Sequence, residues 1–173
     1  MSSDRNLTGT WVGEYFQHGQ PHPIVAEFLH EGDVLTGSMR DGTPDKDLSV
    51  TEVTAGEAPG TDERVVATLR SMFPDQPAAP IRYLSHLPEA STLEGHVRGT
   101  GVTFLKSYQG SHYGGYKVGD VVVGQQIDGH TVHYSGRLAL DHNGMEGRWW
   151  IAPVSGVTEH RIEGSFILRR HRV

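Results

Sequence analysis

The sequence predicts an all-β chain: an antiparallel up-and-down β-barrel of roughly nine to ten strands with one short inserted helix. Three observations carry that expectation. The first is a repeat. Leu7-Thr8-Gly9-Thr10-Trp11 returns in form as Leu35-Thr36-Gly37-Ser38-Met39, Leu93-Glu94-Gly95-His96-Val97, Tyr134-Ser135-Gly136-Arg137-Leu138, Met145-Glu146-Gly147-Arg148-Trp149 and Ile162-Glu163-Gly164-Ser165-Phe166. Each copy reads large apolar, polar, Gly, polar, large apolar. Residues two apart in a strand share a face, so each copy turns two bulky groups and one Gly inward. The second is glycine content, 22 of 173 residues, against an average of about 7%. Glycine inside a strand is kept where a sheet bends sharply or something approaches closely, as in a sheet curled into a barrel. The third is the turn chemistry at Glu31-Gly32-Asp33, Asp41-Gly42 and Gly99-Thr100-Gly101, which separates alternating segments. A sandwich in which Gly merely marks strand starts is the competing reading.

Taken in order, residues 8–16 form the first strand, with Gly9, Trp11, Gly13 and Tyr15 on one face. His18-Gly19-Gln20-Pro21-His22-Pro23 reads as a loop, because prolines do not extend a ladder. Residues 24–30 and 34–40 make the next two strands of a meander. The rhythm then breaks. Residues 48–53 form a short strand, followed by a loop over 55–60. Thr61 is placed as a helix N-cap, with Asp62 and Glu63 in the first turn. Val65, Val66, Leu69, Met72 and Phe73 fall at helical spacing, and Pro74 stops the segment, giving a helical insertion over about 61–73. Its apolar stripe must cover either a barrel mouth or the side of a sheet. An extended segment over 81–87 precedes a hairpin of 93–98 and 102–108. Residues 109–120 carry Gly110, Gly114, Gly115 and Gly119 and read as a long loop. Residues 121–127 and 130–140 pair around Asp128-Gly129. Strands over 145–151 and 160–170 close the chain, with a loop near 153–156.

The bulk numbers fit one domain over residues 1–173, long enough to bury a sizeable core. A net charge of -6 gives no electrostatic footprint for nucleic acid. No basic amphipathic segment suits a membrane surface, and no apolar run reaches the length of a helical span. The chain has no cysteine, which excludes disulfides, a thiolate nucleophile and Cys-type zinc sites. The polar start, residues 1–6, lacks the apolar core of a signal peptide, so a cytoplasmic location is expected.

Gly9-Thr10-Trp11 near the start, with Arg169 and Arg170 ending the last strand, resembles the calycin pattern of lipocalins, fatty-acid-binding proteins and avidins. The resemblance implies a barrel closed at one end, where an Arg from the last strand packs across the Trp of the first. Phe166, Leu168 and Arg170 share a face by alternation, so Arg170 is the matching partner. Leu7-Thr8-Gly9-Thr10-Trp11 followed by Leu35-Thr36-Gly37-Ser38 is also similar to the opening of avidins. The likeness covers the two ends of the chain. The biotin-contacting set of avidins and the second and third lipocalin signatures have no counterpart here.

For chemistry, eleven histidines invite a metal reading. His18 and His22 share a loop, but His130 and His133 are three apart on a strand and point to opposite faces. No metal and no cofactor is expected. No Gly-x-Ser-x-Gly elbow and no phosphate-binding glycine spacing occurs. The informative set lies on the inferred inner face. Val102, Phe104, Lys106 and Tyr108 alternate, which aims Lys106 inward, opposite Tyr15, Tyr134 and Trp149. A Lys among aromatic rings pairs with a ligand carboxylate, stacks on a ring or serves as a base of lowered pKa. The plain alternative is a Lys that reaches the rim and stays in water.

These observations lead to the expectation of a protein that binds a small, mostly apolar or weakly acidic molecule, with Lys106, Tyr108, Tyr134, Trp149 and Tyr15 lining the site. An isomerase, cyclase or hydrolase using Lys106, Tyr108, Tyr134 or His112 as acid–base groups is the first alternative. A filled barrel acting as an interaction module is the second.

Overall fold

The structure is a computed structural model, and it describes residues 5–55, 63–86, 90–127, 129–153 and 160–172. The side chains of Val50, Thr51, His112, Tyr113, Gln125, Gln126 and Ile127 lie outside that description. So do the Thr61 cap, most of the loops expected over 55–60 and 153–156, and Asp128. The described residues are all-β apart from one helix. Its strands are β1 (Gly9–Gln17), β2 (Gln20–Glu31), β3 (Val34–Thr43), β4 (Lys46–Asp47) and β5 (Val50–Thr54), then helix α1 (Glu63–Met72). They continue as β6 (Ile81–His86), β7 (Ser91–Arg98), β8 (Gly101–Ser107), β9 (His112–Val118), β10 (Val121–Ile127), β11 (Thr131–Leu138), β12 (Gly144–Ile151) and β13 (Ile162–Arg170).

The described residues fall into two compact units, one within 1–48, 89–109 and 130–173, the other within 49–88 and 110–129. The first is an antiparallel barrel. Its strands pair in the order β1, β2, β3, β7, β8, β11, β12, β13, and β13 returns to β1. Eight strands therefore close the ring, with β4 an added ribbon on β3. With β4 the barrel sheet has nine strands, within the expected nine to ten. The remaining four strands form a separate sheet.

Register explains the repeat. Gly136 faces Gly147, Gly95 faces Phe104, and Gly37 faces Phe28 across their ladders. The six repeat glycines all lie in barrel strands. A Cβ on Gly95 would stand 2.0 Å from the Thr103 carbonyl oxygen, and one on Gly147 would stand 2.1 Å from that of Ser135. The neighbouring backbone occupies the space a side chain needs, because the sheet coils tightly enough for strands to cross at close range.

Bulky partners of those glycines fill the middle of the barrel. Phe104 stacks on Tyr134 at 4.8 Å, and Phe166 meets Tyr134 edge-on at 5.1 Å. Phe28 meets Phe104 at 5.5 Å and Trp11 at 6.1 Å. One end is sealed. Trp11 and Leu7 are fully buried, Trp11 Nε1–H donates to the Leu7 carbonyl at 2.8 Å, and the Arg170 guanidinium lies 5.0 Å over the Trp11 ring. Trp149 is buried too, whereas Trp150 faces outward, stacked on His133.

Several local expectations are corrected. Only His18 and Gly19 turn the first hairpin, both at positive φ (51° and 73°), the backbone of a primed two-residue turn. Pro21 and Pro23 belong to β2, opposite Phe16 and Glu14 of β1. Pairing of β2 with β3 begins only at Ile24, so the prolines sit where β2 has an open edge and need no ladder N–H.

The second unit is the sheet β10-β9-β6-β5 with α1 upon it. Residues 109–120 are not one long loop: residues 112–118 are β9, paired on both sides. Gly115 is there because its Cβ would stand 2.4 Å from Gly124 Cα. In consequence β10 pairs with β9, and the expected pairing across Asp128-Gly129 does not form; β11 pairs with β8 and β12. The stripe of α1 covers its own sheet. Leu69 is buried with Ala55, Ile81 and Val118, and Val65, Val66 and Phe73 pack around them. No helix among the described residues is long and apolar enough to cross a membrane.

Candidate functional site

Opposite the sealed end, the inward face turns polar. β8 carries Lys106 two residues beyond Phe104, and the register sets it against Leu93 of β7 and Val132 of β11. β1 brings Tyr15, β11 brings Tyr134 and β12 brings Trp149, whose Cα partner on β11 is Tyr134. All five residues expected at the site share the inner face. Lys106 is only 2% exposed, so the alternative in which it reaches the rim and stays in water is overturned. Burial is enforced by register: a Lys flanked by buried Leu93 and Val132 has apolar walls along its whole stem.

The ammonium has few partners. Lys106 Nζ donates to the Tyr108 hydroxyl at 3.2 Å and lies 4.6 Å from the centroid of that ring. Among the described residues its nearest carboxylate oxygen is Asp41 Oδ1 at 3.7 Å, too long for a hydrogen bond. An ammonium carries three donors. Asp41 Oδ1 is itself buried without a hydrogen-bond partner.

Around this pair stand aromatic groups. Tyr15 is sandwiched by His22, stacked at 4.8 Å, and by Trp149, edge-on at 5.7 Å. His130 tilts against Tyr108 at 4.6 Å. Trp149 Nε1–H is committed to the Phe16 carbonyl at 3.1 Å, so Trp149 contributes a wall rather than a donor.

No protein-family model, curated protein or solved structure matches this chain. The chemistry of the site rests on its own residues.

Burial alone would pull Lys106 down, but Tyr108, Tyr134, Asp41 and Tyr15 outweigh it and hold the group above the ordinary lysine range. A neutral phenol contributes no charge, so near neutral pH the Asp41 carboxylate is the member of that set that favours the ammonium. Burial pushes the Tyr15 phenol up, and the Asp41 carboxylate adds to the effect. Burial likewise raises Tyr134. Both phenols therefore remain protonated and able to donate. The site is a charged donor, an under-used carboxylate and neutral hydroxyls set against rings.

Asp41 escaped the sequence reading, which placed it in a turn. The signal was present: Leu35, Gly37, Met39 and Asp41 alternate, and β3 continues through Thr43. His22 lies in β2 and not in the loop that its flanking prolines suggest. His133 stacks outward on Trp150 while His130 meets Tyr108, so the two do not converge. The side chain of His112 lies outside the described residues. Among those described, no three His, Asp or Glu converge on a common point. A hollow of about 820 Å³ lies on the outer wall over β8, β11, β12 and β13. Its polar groups Arg137, Glu146 and Arg148 are exposed to solvent, so nothing there needs a ligand to complete it.

Proposed function

We propose that this protein binds a small, mostly apolar molecule at the polar end of its barrel, and that Lys106 reads a carbonyl or carboxyl oxygen on it. The observation that carries the proposal is the Lys106 ammonium, 2% exposed with one hydrogen-bond acceptor at 3.2 Å. Buried charges are normally both paired and hydrogen-bonded, and an acceptor brought by a ligand would complete this one. Tyr15, Tyr108, Tyr134 and Trp149 supply the aromatic wall, the mixture of apolar surface and few polar groups that ligand sites present. Entry would pass the partly exposed Tyr15, Tyr108 and His22, since packed rings fill the middle of the barrel. Resemblance to calycins supports the reading, because those barrels are also sealed by a Trp and an Arg at one end. A cytoplasmic location belongs to the same proposal.

Native mass spectrometry of the purified protein, looking for a co-purifying small molecule, tests binding directly. Titration of fatty acids and their methyl esters into the native protein and Lys106→Met then tests the role of the ammonium. Loss of one hydrogen bond to a charged group costs about 1.5–3 kcal/mol, so the variant is expected to bind about tenfold more weakly or worse. Equal affinities would remove Lys106 from the site, and no binding to either protein would favour a filled barrel acting as an interaction module.

A further inference from the structure

The Lys106–Asp41 pair also restricts the head group of the ligand, an inference that rests on the binding function proposed above. We infer that the site selects a neutral head group with an adjacent acceptor and donor, as in a primary amide or lactam, over a carboxylate or an amine. Lys106 Nζ and Asp41 Oδ1 are 3.7 Å apart, close enough to neutralise each other and too far to hydrogen-bond. Each retains unused capacity: the ammonium has donors beyond the one given to Tyr108, and Asp41 Oδ1 is buried with no donor among the described residues.

A ligand carboxylate would bring a second anion beside Asp41 and leave the buried group with net negative charge. A ligand amine would do the converse beside Lys106. Unbalanced buried charge is the costlier outcome in either case. An amide keeps the balance. Its carbonyl oxygen accepts from Lys106, and its N–H donates to Asp41 Oδ1, completing both groups at once. The Tyr15 and Tyr134 hydroxyls, held as protonated phenols, add donors without adding charge.

The test compares octanamide, octanoate and octylamine, with dodecanamide and dodecanoate as longer probes, by calorimetric titration at neutral pH. Octanamide or dodecanamide is expected to bind the native protein about tenfold more tightly, or better, than the matching acid. Asp41→Asn removes the competing anion and is expected to shift preference toward the acid. Tighter binding of the acids to the native protein would overturn this inference and leave the binding function standing. An amide preference untouched by Asp41→Asn would also overturn it, since Asp41 would then not be the acceptor. Failure of every probe to bind would count against the binding function as well. The comparison on the native protein decides the matter even where Asp41→Asn does not fold.

Discussion

The Arg170 guanidinium lies 5.0 Å over the ring of Trp11 and joins the last strand of the barrel to the first. The same side chain donates from Nη1 to the Thr8 carbonyl at 2.8 Å and from Nη2 to the Asn6 carbonyl. One residue thus covers the indole and fixes the segment whose Leu7 plugs that end.

Arg170→Ala is predicted to lower stability without changing ligand affinity. A partly desolvated cation–π contact is worth up to about 2 kcal/mol, and in a chain of this size each kcal/mol moves the midpoint by about 2–4 °C. A fall of up to about 4–8 °C is therefore expected in thermal unfolding. Arg170→Lys should recover only part of it, because an ammonium lacks the fork that reaches two carbonyls. An unchanged midpoint would show that the lid contributes nothing.

Lys106 and Asp41 are predicted to be strongly coupled. Removing one member of a buried pair costs about 3–5 kcal/mol. The 20% exposure of the Asp41 side chain puts the expected loss for Lys106→Met near the lower figure. Lys106→Met with Asp41→Leu should be more stable than the sum of the two single losses implies. Urea unfolding of the four proteins measures the coupling, and simple additivity would mean the two groups do not sense each other.

The inward glycines are predicted to be intolerant of even one methyl group. A Cβ at Gly147 would meet Gly136 Cα at 2.4 Å as well as the Ser135 carbonyl. Overpacking of this kind costs about 1–3 kcal/mol, occasionally more. Gly114, with nothing within 4 Å of its Cβ position, is the control. Chemical unfolding should show a large loss for Gly147→Ala and little for Gly114→Ala; similar losses would refute close strand crossing as the reason for the repeat.

His22 is predicted to titrate below its ordinary value of 6.5, because burial disfavours the imidazolium more than the Asp41 carboxylate favours it. The unfolded chain then binds the proton more readily than the folded one. Stability from this residue is present above pH 6.5 and is lost as pH falls toward its folded value. NMR titration of His22 reads the midpoint. Thermal midpoints across the same range should decline less steeply in His22→Phe, and identical slopes would assign the acid sensitivity to other groups.

In variants with a single tryptophan, iodide is predicted to quench Trp150 far more than the fully buried Trp11. Equal quenching would contradict the inward and outward assignment of the two rings.

The sequence by itself determined the barrel, its sealed end and most of the inner lining. Period-two alternation is a local property, so Lys106, Tyr108, Tyr134, Trp149 and Tyr15 could be set on one face without knowing which strands adjoin. Trp11 and Arg170 were legible on the same ground. What only the tertiary structure decided was which strand stands beside which. Residues 112–118 look like a loop in isolation, because glycine is a poor strand former; β6 and β10 on either side make them a strand, and Gly115 allows the approach of β10. Pro21 and Pro23 look like loop residues until the open edge of β2 shows that their missing N–H groups cost nothing. Asp41 looks like a turn residue, and only the placing of β3 and β8 on either side of β7 brings it within 3.7 Å of Lys106. Alternation records the direction in which a side chain points. The partner it meets depends on contacts between distant parts of the chain, which a local pattern does not encode.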